Sequence, residues 1–320
     1  MQKNVFVLWC LGFFLGGVLF PLSCVAGDEV FDLGELVITA TRVPALLKDV
    51  PGSCTVIDEE TIKSSKAKDL AEIIEKVAGV NVKTYSFTGI SIPSIRGSFS
   101  GQVLVMVDGR PLNLASSGDV DLSLIPLENI KKIEVVRGPF SSLYGSGAVG
   151  GVINIITKTP ADASRTELGF SYGSFNSPSL TFSHGESKDK FGYLFTMSGD
   201  FSDGDRENSW KNSSGFSGKV NFSSFVFSGG YSRTKRGIPG SLSWPSPNAS
   251  QVDEKNWFDV SYNWQNQTPG LSLKAFLNQD RIIYEDPDWQ TKDTTENTSS
   301  GANFQHTFSL LPGHEVILGI

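Results

Sequence analysis

Apolar and polar residues alternate strictly along many segments of the second half of the chain. In "KFGYLFTMS" (190–198) aromatic and other large apolar side chains occupy every second position, and small or polar residues lie between them. "WFDVSYNWQ" (257–265) shows the same pattern. A period of two residues indicates β-strands. Turn-forming stretches such as "SDGDREN" separate these segments, and we count eight to ten candidate strands after Pro160.

A different period occurs in the first half. Leu70, Ile73, Ile74 and Val77 recur at the i, i+3, i+4 and i+7 spacing of an amphipathic helix, and Gly79 follows as a helix stop. The first half is therefore expected to be mixed α/β.

Short apolar runs in the first half predict strands. "VLVMV" (103–107) reads as a buried strand, followed by a turn at Asp108-Gly109. Residues 133–136 and the β-branched run 152–157 predict two more strands. Pro126 suits the first position of a short helix before the strand at 133–136.

The distribution of aromatic residues divides the chain near Pro160. Six aromatic residues lie between 27 and 160, and 24 lie between 161 and 320. A soluble β-sandwich would also alternate, but aromatic faces opposite small polar faces favour a membrane barrel with a water-filled interior.

The N-terminus resembles an export signal. Lys3 is followed by an apolar run over 5–22, and small residues at 24–26 offer a cleavage site before Gly27. This pattern predicts a signal peptide over 1–26. A retained transmembrane helix and a lipoprotein acylated at the cysteine of that site are the alternatives.

Composition excludes several functions. The formal net charge is −7, and no basic stripe of a nucleic-acid binder is present, so no nucleic-acid partner is expected. The three histidines are scattered, and no nucleophile, base and orienting group come together, so we expect neither an enzyme nor a cofactor. Four acidic residues between 200 and 207 could hold Ca²⁺, but their spacing favours a solvated turn, and no metal site is assigned.

Gly145, Gly147 and Gly150 spell the G-x-G-x-x-G pattern of dinucleotide-binding loops. That loop needs a strand before its first glycine and a helix after its last. Here the preceding apolar run ends well before Gly145, and a strand is predicted to follow at 152–157. Nucleotide binding is therefore rejected, and the glycines are expected to serve conformational freedom and close approach.

Five motifs, in their order and spacing, resemble the TonB-dependent outer-membrane receptors. They are "GELVITATR" (34–42), "SIRG" (94–97), "VLVMVDGRPLN" (103–113), "IEVVRGPFSSLYGSGAVGGVINIITK" (133–158) and "ELGFSYGSF" (167–175). The resemblance implies an α+β plug domain followed by antiparallel transmembrane strands, as an incomplete part of a 22-stranded plugged barrel. It also implies location in the Gram-negative outer membrane, in contact with its lipid.

The resemblance divides the chain into a periplasmic segment (27–45), a plug domain (46–160) and a truncated portion of the barrel (161–320). "GELVITATR" resembles the TonB box, whose implied partner is the TonB protein with its inner-membrane energising complex. The implied TonB-binding residues are Glu35, Leu36, Val37, Ile38, Thr39 and Ala40. A short uncharged β-prone segment can add as a strand to a partner's sheet. The alternative is that 36–41 is merely the first strand of the plug.

The resemblance also implies sites for the substrate and for locking the plug. The implied substrate-binding residues at the plug apices are Tyr85, Ser86, Phe87, Thr88, Asn113, Leu114, Ala115 and Ser116. Arg96 and Arg137, each before a glycine, are implied to pair with barrel carboxylates on later strands.

The substrate implied is a scarce nutrient. The loop "DGRPLNLASSGDVDLSLIP" (108–126) resembles that of vitamin B12 transporters, and ferric-siderophore receptors share most of its features. Cobalamin and a ferric siderophore therefore both remain open. Haem, another metal chelate such as a nickel chelate, a glycan, or a non-transporting truncated surface protein are the further alternatives.

Overall fold

The computed structural model of the chain describes residues 36–39, 42, 45–50, 52–86, 88–163, 165–264, 270–311 and 314–320. The predicted signal peptide, Glu35, Ala40 and Phe87 lie outside these residues. Among the described residues, the helices are all too short or too polar to cross a membrane.

Eighteen strands and three α-helices form within the described residues. The first half contains β1 (Leu36–Val37), β2 (Ala45–Leu46), β3 (Ser53–Asp58), α1 (Glu59–Ser65), α2 (Leu70–Glu75), β4 (Val80–Thr84), β5 (Ser91–Ile95), β6 (Val103–Val107), β7 (Arg110–Pro111), β8 (Ile130–Arg137), α3 (Ser141–Tyr144) and β9 (Gly151–Thr157). The second half contains β10 (Thr166–Gly173), β11 (Ser177–Lys188), β12 (Phe191–Ser202), β13 (Lys211–Phe222), β14 (Phe225–Gly237), β15 (Ser250–Trp264), β16 (Gly270–Asp286), β17 (Thr291–Leu311) and β18 (His314–Gly319).

The first half folds as an α/β domain, the term used below for β3 to β9 with α1 to α3. Its main sheet has the order β3-β8-β9-β6-β7, in which β6 and β9 run parallel and the other pairs are antiparallel. β4 and β5 form a separate hairpin. Eighteen buried apolar residues form one core. They come from helices α1 and α2, from strands β3 to β6, β8 and β9, and from the segments that connect them.

The helices of this domain start where the sequence offers caps. Asp58 accepts a hydrogen bond from the backbone N of Thr61 at the start of α1, and Asp69 accepts one from that of Glu72 at the start of α2. The predicted amphipathic helix is confirmed, because its four apolar residues at 70, 73, 74 and 77 are all buried. Its predicted stop is wrong, since the helix ends at Glu75 with Lys76 as its C-cap, before Gly79.

The prediction of a short helix beginning at Pro126 is also wrong. The short 3-10 helix in this region spans Leu122–Leu124, before Pro126 and not after it. Asp121 caps it, since its Oδ1 accepts hydrogen bonds from both the backbone N and the hydroxyl of Ser123. A side-chain cap therefore determines where this turn begins, and Pro126 follows it.

The glycine-rich stretch connects two strands, as predicted. It runs from β8 through α3, turns at Gly145 with a φ of +83°, and enters β9 at Gly151. A Cβ at Gly151 would lie 2.5 Å from the carbonyl oxygen of Val136 on the neighbouring strand. Glycine is thus required there for close approach of two backbones.

The second half folds as one nine-stranded antiparallel sheet in which each strand pairs with the next along the chain. At one end of the sheet the connections are short, such as 189–190 and 223–224. At the other end they are longer, including 203–210 and 238–249. These are called the short-turn end and the long-loop end below.

The two faces of the nine-stranded sheet differ as the alternation predicted. One face is exposed and apolar, and it includes a row of directly paired residues across six strands near the short-turn end: Phe191, Phe222, Phe225, Tyr262, Leu273 and Phe304. The opposite face carries buried polar and charged residues such as Lys219, Arg236 and Asp259. An aromatic row on an apolar outer face is typical of membrane barrels.

Candidate functional site

Charged residues of the α/β domain pair with the polar face of the nine-stranded sheet. Near the short-turn end, the Asp108 carboxylate lies 3.0 Å from Lys219 Nζ of β13 and accepts hydrogen bonds from the backbone N and hydroxyl of Thr157. Burial alone would raise the pKa of Asp108, but Lys219 and Thr157 hold that pKa below its ordinary value of 3.8. Asp108 is therefore ionised at neutral pH.

Arg110 forms the next contact. Its guanidinium lies 3.5 Å from the Asp259 carboxylate of β15 and also donates to Asn278 Oδ1 of β16. Lys274 Nζ lies 3.1 Å from the other oxygen of Asp259 and donates to the backbone carbonyl of Asp108. Asp259 thus joins one cation of the α/β domain to one cation of the sheet.

Arg236 of β14 makes the contact nearest the long-loop end. It is fully buried, and its Nη2 lies 2.6 Å from Asp121 of the α/β domain and 2.9 Å from Asp253 of β15. The other oxygen of Asp121 accepts hydrogen bonds from the backbone N of Ser91 and from Ser123. Arg236 Nη1 also donates to the Ser123 hydroxyl. Two carboxylates and one hydroxyl thus surround the buried guanidinium.

Sequence reasoning missed these pairs. The partners that join the α/β domain to the sheet are more than 100 residues apart, so local spacing contains no sign of their pairing. The available signal was the position of Lys219, Arg236, Asp253, Asp259 and Lys274 on the inward face of alternating strands. The alternation identifies that face as polar. A charged residue that is buried on it also indicates that an opposite charge lies beside it.

Arg96 and Arg137 lie side by side, with their aliphatic stems against Gly79. Arg137 donates to the hydroxyls of Ser53 and Thr55 within the same domain, and its Nη1 is buried without a hydrogen bond. Within the described part of the chain neither guanidinium pairs with a carboxylate. Their locking role stays a prediction.

Four consecutive described residues of the first motif, Leu36, Val37, Ile38 and Thr39, are called the coupling segment. They dock on the α/β domain. Leu36 and Val37 form β1 and pair with β2, while the side chains of Val37 and Thr39 are fully buried. The Leu36 and Ile38 side chains are exposed.

The polar contacts of the coupling segment converge on Glu134 of β8. Its Oε2 accepts hydrogen bonds from the backbone N of Ile38 at 3.1 Å, the backbone N of Thr39 at 2.8 Å and the Thr39 hydroxyl at 2.5 Å. Lys132 Nζ lies 2.6 Å from Oε1 of Glu134 and donates to the carbonyl of Leu36. An ion pair between buried Glu134 and partly exposed Lys132 therefore holds the main chain of the coupling segment.

Tyr144 and Arg42 complete this contact. The Tyr144 hydroxyl donates to the carbonyl of Thr39 at 2.7 Å, and the Arg42 guanidinium stacks over the Tyr144 ring. Burial raises the pKa of Tyr144 to about 12, so its hydroxyl stays protonated and can donate at neutral pH. Gln305 of β17, close to the short-turn end, donates to the carbonyl of Arg42.

The predicted substrate residues Tyr85, Ser86 and Thr88 lie between β4 and β5 of the hairpin. Tyr85 is exposed, with Lys83 over its ring, and Ser86 is half-buried. Thr88 is buried and donates to the carbonyl of Ser209 in the 203–210 loop. The hairpin turn therefore contacts the long-loop end of the sheet.

The residues of the second predicted apex, 113–116, differ in their exposure and in their contacts. The Asn113 side chain bonds to the backbone of Val103, Val105 and Gly118, so it supports the loop around it. Ala115 and Ser116 are exposed, and the backbone N of Ser116 donates to Asn297 of β17.

Leu114 lines a cavity of about 140 Å³ between this apex and the sheet. Ile90, Ile92 and Asp119 line its other parts in the α/β domain, and Lys255, Asp280 and Ile282 line it on β15 and β16. Charged and apolar residues line the cavity in equal number. Its volume is below the several hundred Å³ of most ligand pockets.

The structure thus brings the predicted residues together at two separate places. Arg42, three residues after the coupling segment, contacts Gln305 near the short-turn end, and the apices contact residues towards the long-loop end. The described residues include no group of three or more His, Cys, Asp or Glu side chains able to hold a metal ion. Of the acidic cluster, Asp200 pairs with Lys211, and Asp205 accepts a hydrogen bond from Ser209.

Comparison with known families gives a match over residues 46–152. The matching family model is the TonB-dependent receptor plug domain. The match covers the α/β domain and ends inside β9, before the nine-stranded sheet begins.

Curated relatives match part of the chain. The vitamin B12 transporter BtuB of Vibrio cholerae serotype O1 is 34% identical over 186 residues, which are 58% of this chain and 30% of the relative. The protein of the same name from Photobacterium profundum is 36% identical over 143 residues, which are 45% of this chain and 23% of the relative. The chain therefore spans about a third or less of the length of these curated relatives.

Solved structures share the fold. The unliganded ferric citrate transporter FecA superposes with a TM-score of 0.70 at 22% identity, over 84% of this chain and 46% of that chain. The siderophore receptor PiuA from Acinetobacter baumannii gives 0.68 at 18% identity, over 88% and 46%. The copper transporter OprC gives 0.68 at 15% identity, over 83% and 44%. At these identities the likeness concerns the fold alone.

Proposed function

Because this chain carries the plug domain of the TonB-dependent receptors joined to part of an antiparallel barrel, we propose that the protein is an outer-membrane transporter. In this proposal it takes up a scarce nutrient with energy delivered by TonB. The α/β domain is the plug, and the coupling segment is the part that TonB grasps. The observation that carries the proposal is the separation of the two candidate sites, since transport requires a substrate site on one side and a coupling site on the other.

The partner site is the segment from Glu35 to Ala40. Its described part is short, uncharged and β-prone, and Leu36 and Val37 already form a strand. An extended segment of this kind binds by adding to a sheet edge, where main-chain hydrogen bonds give most of the affinity. In the docked state Glu134 and Tyr144 occupy main-chain groups of Ile38 and Thr39. TonB can pair with those groups only after the segment has left the plug.

The membrane location is supported by the two faces of the nine-stranded sheet. The outer face is apolar and includes the aromatic row from Phe191 to Phe304, which fits a lipid surface and its interface. The inner face is polar and contacts the plug through charged pairs. In this proposal strands β10 to β18 contact outer-membrane lipid.

Cobalamin is the substrate to test first. The observation in its favour is the 34% identity to a vitamin B12 transporter over a stretch of 186 residues. A ferric siderophore is the second candidate, because the loop at 108–126 also resembles that of ferric-siderophore receptors. Haem, other metal chelates and glycans are the outcomes if neither binds.

The substrate is tested by fluorescence titration of the purified intact protein. Cyanocobalamin and a panel of ferric siderophores are titrated separately, and nanomolar binding of one of them is expected. Leu114→Arg, which places a long cation in the cavity, should weaken that binding at least tenfold. Leu143→Ala, near the coupling segment, is the matched control and should bind as the parent does. Binding of neither ligand class would contradict the substrate proposal.

A further inference from the structure

Glu134 is a fully buried carboxylate, and the coupling segment supplies most of its hydrogen bonds. Oε2 accepts three of them, from the main-chain N of Ile38 and from the main-chain N and hydroxyl of Thr39. These donors belong to a short segment, held otherwise by a two-residue strand pair and a few contacts. The docked state of the segment therefore depends strongly on one side chain.

The charge of Glu134 makes this dependence strong. Hydrogen bonds to an ionised acceptor are about twice as strong as those between neutral groups. Lys132 Nζ lies 2.6 Å from Oε1 and also donates to the carbonyl of Leu36, so both ions of the pair bind the main chain of the segment. When the segment leaves, Oε2 exchanges these three charge-assisted hydrogen bonds for bonds to water, and the net free energy of the three bonds is lost.

We propose that Glu134 is the positioning residue that keeps the coupling segment docked, so that its carboxylate sets how often the segment is free to meet its partner. That the partner is TonB rests on the function proposed above. The docking of the segment by Glu134 does not depend on that function. Glu134 lies outside the coupling segment, on β8, and so can be changed without altering the sequence that the partner reads.

Asn154 of β9 ties the same segment to the contact between plug and sheet. Its Nδ2 donates to the Thr39 hydroxyl at 3.0 Å, and its Oδ1 accepts from the backbone N of Gly109 at 3.3 Å. Gly109 follows Asp108, which pairs with Lys219 of the sheet. The Thr39 hydroxyl therefore sits between Glu134 and Asn154, and it is the second place where the docked state can be weakened.

The proposal is tested by the accessibility of residue 37. Val37 is fully buried, so a thiol introduced by Val37→Cys reacts with a maleimide only when the segment has left the plug. The labelling rate is measured at that peptide by mass spectrometry, on the purified intact protein without substrate or partner. Glu134→Gln keeps the shape and removes the charge, and it should raise the rate at least about tenfold.

Asp69→Asn is the matched control. It removes the charge of another plug carboxylate, and asparagine remains a good cap for α2. Its labelling rate should stay within about twofold of the parent. An unchanged rate in Glu134→Gln would overturn the proposal. An equal increase in both variants would also overturn it, because it would show general loosening of the plug.

Thr39→Val gives a second route if Glu134→Gln does not fold. It removes one of the three donors, and it should raise labelling of residue 37 severalfold, whereas Thr39→Ser keeps the hydroxyl and should not. In the double variant with Glu134→Gln, the Thr39→Val effect should be smaller than alone, because the shared contact is already weakened. Fully additive effects would contradict a direct interaction.

A binding measurement separates this proposal from the function on which it rests. The purified periplasmic domain of TonB should bind Glu134→Gln more tightly than the parent when no substrate is present. Faster labelling without tighter binding would support the role of Glu134 and count against TonB as the partner. Unchanged labelling would overturn the role of Glu134 whatever the binding result.

Discussion

The plug core and the contact between plug and sheet are built by opposite chemistry. Eighteen buried residues form the core, and all of them are apolar. The contact with the sheet is made largely by ion pairs and hydrogen bonds around Asp108, Arg110 and Asp121. The burial of an apolar side chain is non-directional and needs no specific partner. A charged side chain needs either its opposite charge or water beside it.

This difference fits a plug that keeps its fold while its contacts change. Water can replace a lost partner at a polar contact, but it cannot restore a lost apolar core. A transporter of the proposed kind needs a path past or through its plug, and the polar contact is the place where water can enter. The core is then the part that should tolerate change least.

The largest loss is expected in the core. Ile153 of β9 is fully buried in the apolar cluster. Ile153→Ala should lower the free energy of unfolding of the plug by about 4 kcal/mol, because it removes buried methyl groups and leaves a cavity. The urea concentration at which a protease cleaves the plug measures this loss. Ile153→Val is the control and should cost about 1 kcal/mol.

Breaking the buried ion pair should cost slightly less. Arg236→Met leaves Asp121 and Asp253 buried without their cation, at a cost of about 3 kcal/mol in the same urea assay. Adding Asp121→Asn and Asp253→Asn should recover part of that loss, since the remaining groups are neutral. No loss in the single variant would mean that water already compensates these carboxylates.

The outer face of the sheet should respond to charge and tolerate apolar change. Phe258 lies exposed in the middle of β15, on the apolar face. If that face meets lipid, Phe258→Lys should destabilise the barrel by about 2 kcal/mol, and Phe258→Leu should cost well under that. Folding titrations in lipid vesicles compare the two. Equal stability of both variants would argue against a lipid-facing surface.

The smallest effect is expected at Asp108. Asp108→Asn should cost about 1 kcal/mol, since it weakens contacts with Lys219 and Thr157. The pKa of Asp108 lies below its ordinary value of 3.8, so its ionised form stabilises the fold above that value. The difference from Asp108→Asn should therefore be constant near neutral pH and shrink as the pH falls below 3.8. A difference that grows in acid would reverse this assignment.

The sequence predicted the elements well where a short pattern determines them. The helix at Leu70–Glu75 and the strand at Val103–Val107 formed as expected, because burial on one face or on both is visible in the residue order. The alternating second half formed nine strands within its described residues, inside the predicted range of eight to ten.

Contacts between distant segments could not be predicted in the same way. Nothing near Glu134 shows that it binds Thr39, which lies 95 residues away in the sequence. Arg236 and Asp121 are likewise distant in the sequence, and nothing in the sequence around either residue indicates that they pair. Asn113 was predicted to touch substrate, yet its side chain bonds to two backbone groups of β6 and to one of its own loop. Local patterns give the elements, while side-chain partners depend on how the elements pack.

The coupling segment offers the most direct measurement of the proposed function. Val37→Pro removes a main-chain N–H at the centre of the segment and prevents it from adding to a sheet as a strand. Uptake of labelled cyanocobalamin, or of the ferric siderophore that binds in titration, is compared with binding of the same ligand in cells lacking other receptors for it. We expect Val37→Pro to abolish uptake and to leave binding intact, while Val37→Ile keeps both. Uptake by Val37→Pro at the parent rate would contradict the account.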